Sequence, residues 1–240
     1  VQWVKDNKPE QLLLIGDLLD FGEVSSHRKT GNEPSLQEEI DSAYRLLRDF
    51  RAASPGTRIR LLDGNHEDRL VRALESKGML SIAHLKRPGD DHPMLATSHY
   101  LRLDELEIEQ EFPPENLPYE FAEIPVTGDL CARHGHKVGA GGGMSVAKMI
   151  EEQMRSLLIG HCHRQAVVQV TKWIDGVARV FTGCEVGTMS RIEHGLGYAN
   201  AGSPNWQQGF AVVQVYDDSY SVELARFVND TLYWRDRSWK

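Results

Sequence analysis

Short apolar runs along this chain are followed at once by glycine and by aspartate, asparagine or histidine. Leu12 to Ile15 leads into Gly16-Asp17-Leu18-Leu19-Asp20, and the alternating stretch Arg58 to Leu62 leads into Asp63-Gly64-Asn65-His66-Glu67. Further on, Asp129 to Arg133 ends at His134-Gly135-His136, and Leu157 to Ile159 ends at Gly160-His161-Cys162-His163. Runs of this length bounded by turn residues predict buried strands. Helical spacing lies between them. Val1 to Lys5 reads as the last turn of a helix. Ser35 and Glu38 form a capping pattern behind Pro34, and Ile40, Tyr44, Leu47 and Phe50 then share a face until Ser54-Pro55-Gly56. Glu67 to Lys77 is predicted helical with Gly78 as its cap, as is Met144 to about Arg155. Helix, strand, helix, strand, helix predicts an α/β layered architecture with a ligand-rich turn after each strand.

The pattern changes twice. Residues 79–127 hold six of the ten prolines and the acidic run Asp104 to Glu111. They read as an irregular insertion or cap whose acids form a solvated face, with short strands at Ala122 to Val126 and Asp129 to Arg133 close to its end. From Val167 onward strands and turns dominate: Val167 to Thr171, Val177 to Thr182, Phe210 to Tyr216, Tyr220 to Phe227 and Thr231 to Trp234. Asp175-Gly176 is a hairpin signal. No linker or repeat separates the halves, so residues 1–240 read as a single domain with a mostly β part over 167–240.

At 240 residues the chain can bury a substantial core, and 40% hydrophobic with 26% charged residues is an ordinary soluble composition. No apolar run reaches the length of a membrane span and no signal peptide is visible, so no membrane partner is expected. Three cysteines, Cys131, Cys162 and Cys184, build no disulfide framework and suit a reducing, cytoplasmic setting. A formal net charge of −8 argues against a broad, sequence-independent grip on duplex DNA, though not against a local basic lip.

The strand-end residues carry the chemistry. His161 and His163 are two apart and, on an extended backbone, would point the same way. Taken singly, this pair and His134 with His136 are as compatible with a structural role as with metal binding. Asn65 and His66 offer an amide oxygen and an imidazole on one glycine turn, and Asp17 offers a hard carboxylate. The combined oxygen and imidazole set, without thiolate, suits Mn, Fe, Zn or Ni better than a structural zinc.

In this order, GD-x-x-D, GNHE, HGH and GH-x-H resemble the calcineurin-like metallophosphoesterase superfamily from about Leu12 to Arg164. The tail with Trp206 and Gly209-Phe210 resembles members found in phage and bacterial genomes. The protein Ser/Thr phosphatase branch is a poorer match, because it carries an arginine soon after the second aspartate, where this chain has Phe21-Gly22. The resemblance implies a four-layer αββα sandwich and a phosphoester hydrolase with two divalent metals, manganese favoured, and a bridging hydroxide. It further implies that Asp17 bridges the metals, that Asn65, His134 and His161 complete the second metal's shell, and that His163 ligates the first. His66 would be catalytic, protonating the leaving oxygen. Two cations about 3.5–4 Å apart clamp phosphoryl oxygens and acidify water, and histidine is a suitable acid at neutral pH.

The family pattern begins with D-x-H at the end of a strand before GD-x-x-D. Only sixteen residues precede Asp17, beginning with Val1 rather than methionine, whereas a β–α–β unit takes about 30 or more. The expectation is a chain lacking its N-terminal strand, retaining one metal at the second site, with impaired hydrolysis. Asp90-Asp91-His92 spells D-x-H outside any strand and reads as coincidence. Among weaker signals, Asp20 either orients a ligand or closes its turn, His136 either contacts substrate or supports its loop, and His27 and Arg28 either face phosphate or solvent. Arg69 either contacts phosphate or pairs with a carboxylate; Gly139 to Gly143 either cradles an anion or permits close approach; Cys162 reads as packing. Substrates are expected to be phosphodiester or nucleic-acid-related. A phosphomonoesterase acting on a nucleotide or small metabolite is the rival within the class, and a catalytically impaired phosphate- or nucleic-acid-binding module the rival outside it.

Overall fold

The computed structural model of the protein describes residues 1–26, 31, 33–115, 117–192, 205–217 and 219–240. It is a mixed α/β chain with three sheets, dividing into two compact units, Val1–Ala122 and Glu123–Lys240.

The first unit opens with helix α1 (Gln2–Asn7) and strand β1 (Gln11–Ile15), followed by α2 (Leu36–Ala53) and β2 (Arg58–Leu62). Next come α3 (Asp68–Ser76), the one-turn helices α4 (Leu80–Ala83) and α5 (Thr97–Tyr100), and β3 (Ile108–Glu111). The three strands form a parallel sheet in the order β1-β2-β3. Ser35 caps α2 by accepting from the Glu38 amide while Glu38 reaches back, which is the box the sequence predicts. Ala43 and Leu47 of α2 bury against Ile59 and Leu61 of β2 and Ile108 of β3, and Leu12 and Leu14 pack on the same cluster. Gly78, at φ +70°, ends α3: its amide donates to Glu75 and the Met79 amide to Leu74, satisfying the last carbonyls.

The acidic run keeps its solvated face, with Asp104, Glu105, Glu107 and Glu109 exposed, but its end is regular. Ile108–Glu111 is the third strand, because Ile108 is apolar enough to bury and its acidic neighbours meet arginines of β2. Glu109 accepts from Arg58 at 2.9 Å and Glu111 from Arg60 at 2.9 Å. The acids are cross-strand partners of β2, while Ile108 on the other face packs into the core.

The second unit contains β4 (Ile124–Thr127), β5 (Leu130–Arg133), α6 (Met144–Gln153), β6 (Ser156–Ile159), β7 (Gln165–Ile174) and β8 (Val177–Val186). After them come β9 (Gly209–Val215), β10 (Tyr220–Val228), β11 (Thr231–Trp234) and β12 (Arg237–Trp239). A five-stranded sheet runs β4-β5-β6-β8-β7 and a four-stranded one β12-β11-β10-β9. β5, β6 and β8 are mutually parallel, so their carboxyl ends share one rim. Val146, Met149 and Ile150 of α6 bury against Cys131, Leu157, Ile159 and Phe181. The helix approaches closely because β8 has no side chain at Gly183, where a Cβ would meet Ile150 and Val146 at 2.8–2.9 Å. Asp175 and Gly176 join β7 to β8 with φ of +51° and +77°, the primed turn that Asp-Gly predicts. β3 and β12 are short enough that periodicity does not reveal them. No helix among the described residues is long and apolar enough to cross a membrane.

Candidate functional site

In the first unit the chain leaves β1 through two residues of positive φ, Gly16 at +93° and Asp17 at +57°. Side chains rarely adopt this left-handed conformation. It turns the backbone off the sheet, and Glu67 holds it there. One carboxylate oxygen of Glu67 accepts from the amides of Asp17 at 2.9 Å and Gly64 at 2.7 Å, and the other from the amide of Leu19 at 2.9 Å. Glu67 therefore fastens the turn after β1 to the turn after β2. A second carboxylate continues the same work: Glu39 of α2 accepts from the amides of Asp20, Phe21 and Gly22 at 2.8, 2.6 and 3.3 Å. Burial raises the Glu39 carboxyl, and the three amides act against that rise.

These fastened turns bring Asp17, Asp20, His66 and Arg69 together. Asp17 accepts the His66 amide on Oδ1 at 3.0 Å, and its Oδ2 lies 3.7 Å from His66 Nε2. His66 is buried, with Nδ1 2.9 Å from Asp20 Oδ1 and Nε2 2.8 Å from Arg69 Nη2. A guanidinium only donates, so Nε2 accepts and the proton sits on Nδ1, directed at Asp20. Arg69 also donates to Asp20 Oδ1 at 3.0 Å. Burial by itself would raise the Asp20 carboxyl; the hydrogen bond from His66, with the hydrogen bond and charge of Arg69, outweighs it and holds the group below its ordinary value. Asp20 thus orients His66, and Arg69 pairs with a carboxylate. Asn65, half-buried, lies between Gly64 and His66 on the same turn.

Behind the turn, Asp63 accepts from Thr97 Oγ1 at 2.7 Å and Gln110 Nε2 at 2.9 Å. Burial, and then the charge of Glu67, push its carboxyl up to about 7. A raised carboxylate pKa means that the folded state holds the proton more tightly than the unfolded one. The resulting penalty is absent below about pH 4, grows as the pH rises towards 7 and is complete above it, at roughly 1.4 kcal/mol for each tenfold gain in proton affinity. The Asp63→Asn variant loses this titration. Its melting temperature relative to the parent is therefore expected to climb between pH 5 and pH 8, and a gap independent of pH would refute the assignment. Any cost of mispairing the amide is the same at every pH.

In the second unit the neighbouring parallel strands β5 and β6 end at His134 and Gly160-His161, and the Gly160 amide donates to the His134 carbonyl at 3.0 Å. The rings of His134 and His161 meet edge to face with centroids 5.2 Å apart. Gly135, at φ +95°, takes the left-handed conformation that turns the chain off β5; a Cβ there would make only ordinary contact with Ile159 and His161. β6 stops at Ile159, so His161 and His163 do not sit on an extended backbone; their φ values are +53° and +58°. Two-residue spacing therefore does not align them. His163 lies instead against Trp206, ring centroids 4.7 Å apart, and its carbonyl accepts from the Gln207 amide at 2.9 Å. His136 is exposed.

The glycine-rich loop before α6 packs closely and takes an internal carboxylate. Glu185, fully buried, accepts from the amides of Ser145 at 2.9 Å and Val146 at 3.4 Å, occupying the helix N-terminus. Arg164 donates to the Gly139 carbonyl at 2.7 Å, and its Nε lies 3.7 Å from Glu185. All three cysteines are buried free thiols, and burial raises each of them, Cys184 up to about 12. Cys162 is buried, in keeping with its reading as packing, though not as the alternate face of a strand. In Asp90-Asp91-His92, Asp90 pairs with Arg87 at 2.8 Å and His92 stacks on Phe112, which commits both ends elsewhere. His27 and Arg28 lie outside the described residues.

The chain is similar to two phage proteins. One is the Gene 54 protein of Mycobacterium phage L5, 26% identical over 252 residues that cover 100% of this chain and 90% of that protein. The other is the Gene 54 protein of Mycobacterium phage D29, 24% identical over 241 residues, covering 95% and 86%. No family model and no solved structure matches the chain.

The likeness to the Gene 54 proteins runs over nearly the whole chain, so it takes in both units together with the strand-end turns. Sequence reasoning missed the groups that hold those turns: Glu67, Glu39, Glu185 and Asp63. Only Glu67 left a trace, as an acid three residues after Gly64 at a helix start, where carboxylates reach back to amides. Glu39 is nearly twenty residues from the amides it binds, and no local pattern reports it.

Proposed function

We propose that the protein is a metal-dependent phosphoester hydrolase of the calcineurin-like type, with the four-layer αββα fold of that superfamily. One observation carries the reading. Asp17, His161 and His163, three of the donors named from the motifs, stand at strand ends in left-handed backbone, a conformation that gathers at functional sites. The proposed donors are Asp17, Asn65, His134, His161 and His163.

The donor set suits a divalent cation. The nearby imidazoles of His134 and His161 fit metal–nitrogen bonds of about 2.0–2.1 Å, and Asp17 is oriented by the His66 amide. The cysteines, buried and protonated, leave an oxygen and nitrogen set that favours manganese, iron, zinc or nickel. Bound cations would neutralise phosphoryl oxygens and lower the pKa of an attacking water. The chain's own groups do the rest. Asp20 holds the Nδ1 proton of His66 and so presents Nε2 to the substrate. Once a proton occupies Nε2, His66 gives it to the leaving oxygen. Arg69, which sits on Nε2, turns its guanidinium to the phosphoryl oxygens as substrate enters.

Asp17, Asn65, His134 and His161 offer four donors to one cation, whereas Asp17 and His163 offer two to the other. One tightly held metal per chain is expected, so elemental analysis of protein dialysed with manganese should give a ratio near one and His161→Ala a ratio near zero. Two tightly held metals would overturn this division of ligands, and none would remove the metal. Hydrolysis of an aryl phosphodiester beside an aryl phosphomonoester, with manganese added, tests the activity itself; no turnover of either defeats the proposal.

A further inference from the structure

The second unit contains a cavity of about 420 Å³ that the hydrolase reading does not use. Its walls come from the segment around Trp206 to Gln208, from the end of β10 and the turn after it, and from Arg191. This volume lies within the range of small-molecule sites.

Gln165 makes the floor rigid. Its side-chain amide donates to the Ala225 carbonyl at 2.8 Å and the Val186 carbonyl at 3.3 Å, and its backbone amide donates to Gln207 Oε1 at 3.0 Å. Two glycines make room for it. A Cβ on Gly187 would lie 2.7 Å from Gln165 Cγ, and one on Gly209 would lie 2.5 Å from Gln165 Nε2. The cavity is therefore built before anything enters it.

Its lining is chemically mixed in a specific way. Trp206 and Phe227 offer aromatic surface, Gln208 and Asn229 offer amides that both donate and accept, and Arg191 and Arg226 bring two cations against the one carboxylate of Asp230. Elsewhere the arginines mostly face carboxylates, as Arg58, Arg60, Arg69, Arg87, Arg133, Arg155 and Arg235 do. Arg191 and Arg226 have no ion-pair partner among the described residues, so they bring charge to the cavity's lining in a chain that is acidic overall. Aromatic faces that stack a base, amides that read its edge and guanidinium groups that fork onto phosphate oxygens are the elements of nucleotide recognition.

We propose that this cavity is a nucleotide subsite, with the base against Trp206 and Phe227, its edge at Gln208 and Asn229, and its phosphate at Arg191 and Arg226. Trp206 is also the neighbour of His163, so a base bound there stands one side chain from a proposed metal donor. That the occupant is substrate, making the cleaved ester part of a nucleotide or oligonucleotide, rests on the hydrolase reading; that it is a nucleotide does not.

Calorimetric titration of the full chain in manganese with adenosine 5′-monophosphate, ribose 5-phosphate and adenosine separates the parts. Since the two phosphates are alike, any metal contribution cancels between them. The monophosphate is expected to bind at least tenfold tighter than either fragment. Arg226→Ala and Arg191→Ala should each bring it to within twofold of adenosine, while aryl phosphodiester turnover stays within twofold of the parent. Equal binding of the monophosphate and ribose 5-phosphate overturns the base pocket. A parallel loss of aryl phosphodiester turnover in both folded variants overturns a separate subsite. Turnover without nucleotide preference leaves the hydrolase and removes this inference; arginine-dependent nucleotide binding without any turnover does the reverse.

Discussion

Replacing Glu67 with alanine is expected to destabilise the first unit by about 3–6 kcal/mol, since three amides lose their acceptor and each unsatisfied buried group costs roughly 1–3 kcal/mol, not fully additively. Glu67 is itself buried, so water does not readily take its place. The amides concerned belong to Asp17, Leu19 and Gly64, which lie on two different strand-end turns. Against a typical domain stability of about 5–15 kcal/mol this is a large fraction. Glu67→Gln keeps the shape but presents an NH₂ group to amide donors, and falls between alanine and the parent. Urea denaturation gives the magnitude, and hydrogen exchange gives the place. Exchange should accelerate first at Asp17, Leu19 and Gly64. If those amides stay as protected as in the parent, Glu67 is not the fastener.

The second large effect concerns chemistry. His66→Ala is expected to slow hydrolysis of an alkyl phosphodiester by about 10²–10⁴-fold, the usual range for loss of a general acid. A nitrophenyl ester should lose far less, because its leaving group departs readily as an anion. Asp20→Asn should move the same way by a smaller factor, since it removes the acceptor that presents His66 through Nδ1. Circular dichroism and melting curves on both variants guard against misfolding. An equal loss on alkyl and aryl esters would mean that His66 positions the phosphate and does not protonate the leaving group.

How much of this is legible in the sequence depends on the range of the interaction. Strands ending in Asp17, Asn65, His134 and His161 announce themselves by an apolar run and a glycine, both local signals. The Ser35 cap, the Asp175-Gly176 turn and the Gly78 stop are local too, and the structure has them where the pattern puts them. β3 is hidden because its strand is short and mostly acidic, and it pairs with a strand some fifty residues earlier. The geometry of His161 and His163 escapes the pattern because alternation applies only within a strand, and β6 ends before either. The clamps by Glu39 and Glu185 are invisible for the same reason as β3: an acid's use is decided by what the fold brings to it.

The left-handed residues at the strand ends carry a last implication, about what selection must preserve. Glycine occupies that backbone region freely, whereas a side chain there costs about 1–2 kcal/mol. At Asp17, His161 and His163 glycine would relieve that cost but would lose the acceptor of the His66 amide and the ring contacts with His134 and Trp206. A relative of this chain that no longer uses the site would be free to give up these three side chains only together with the contacts they make.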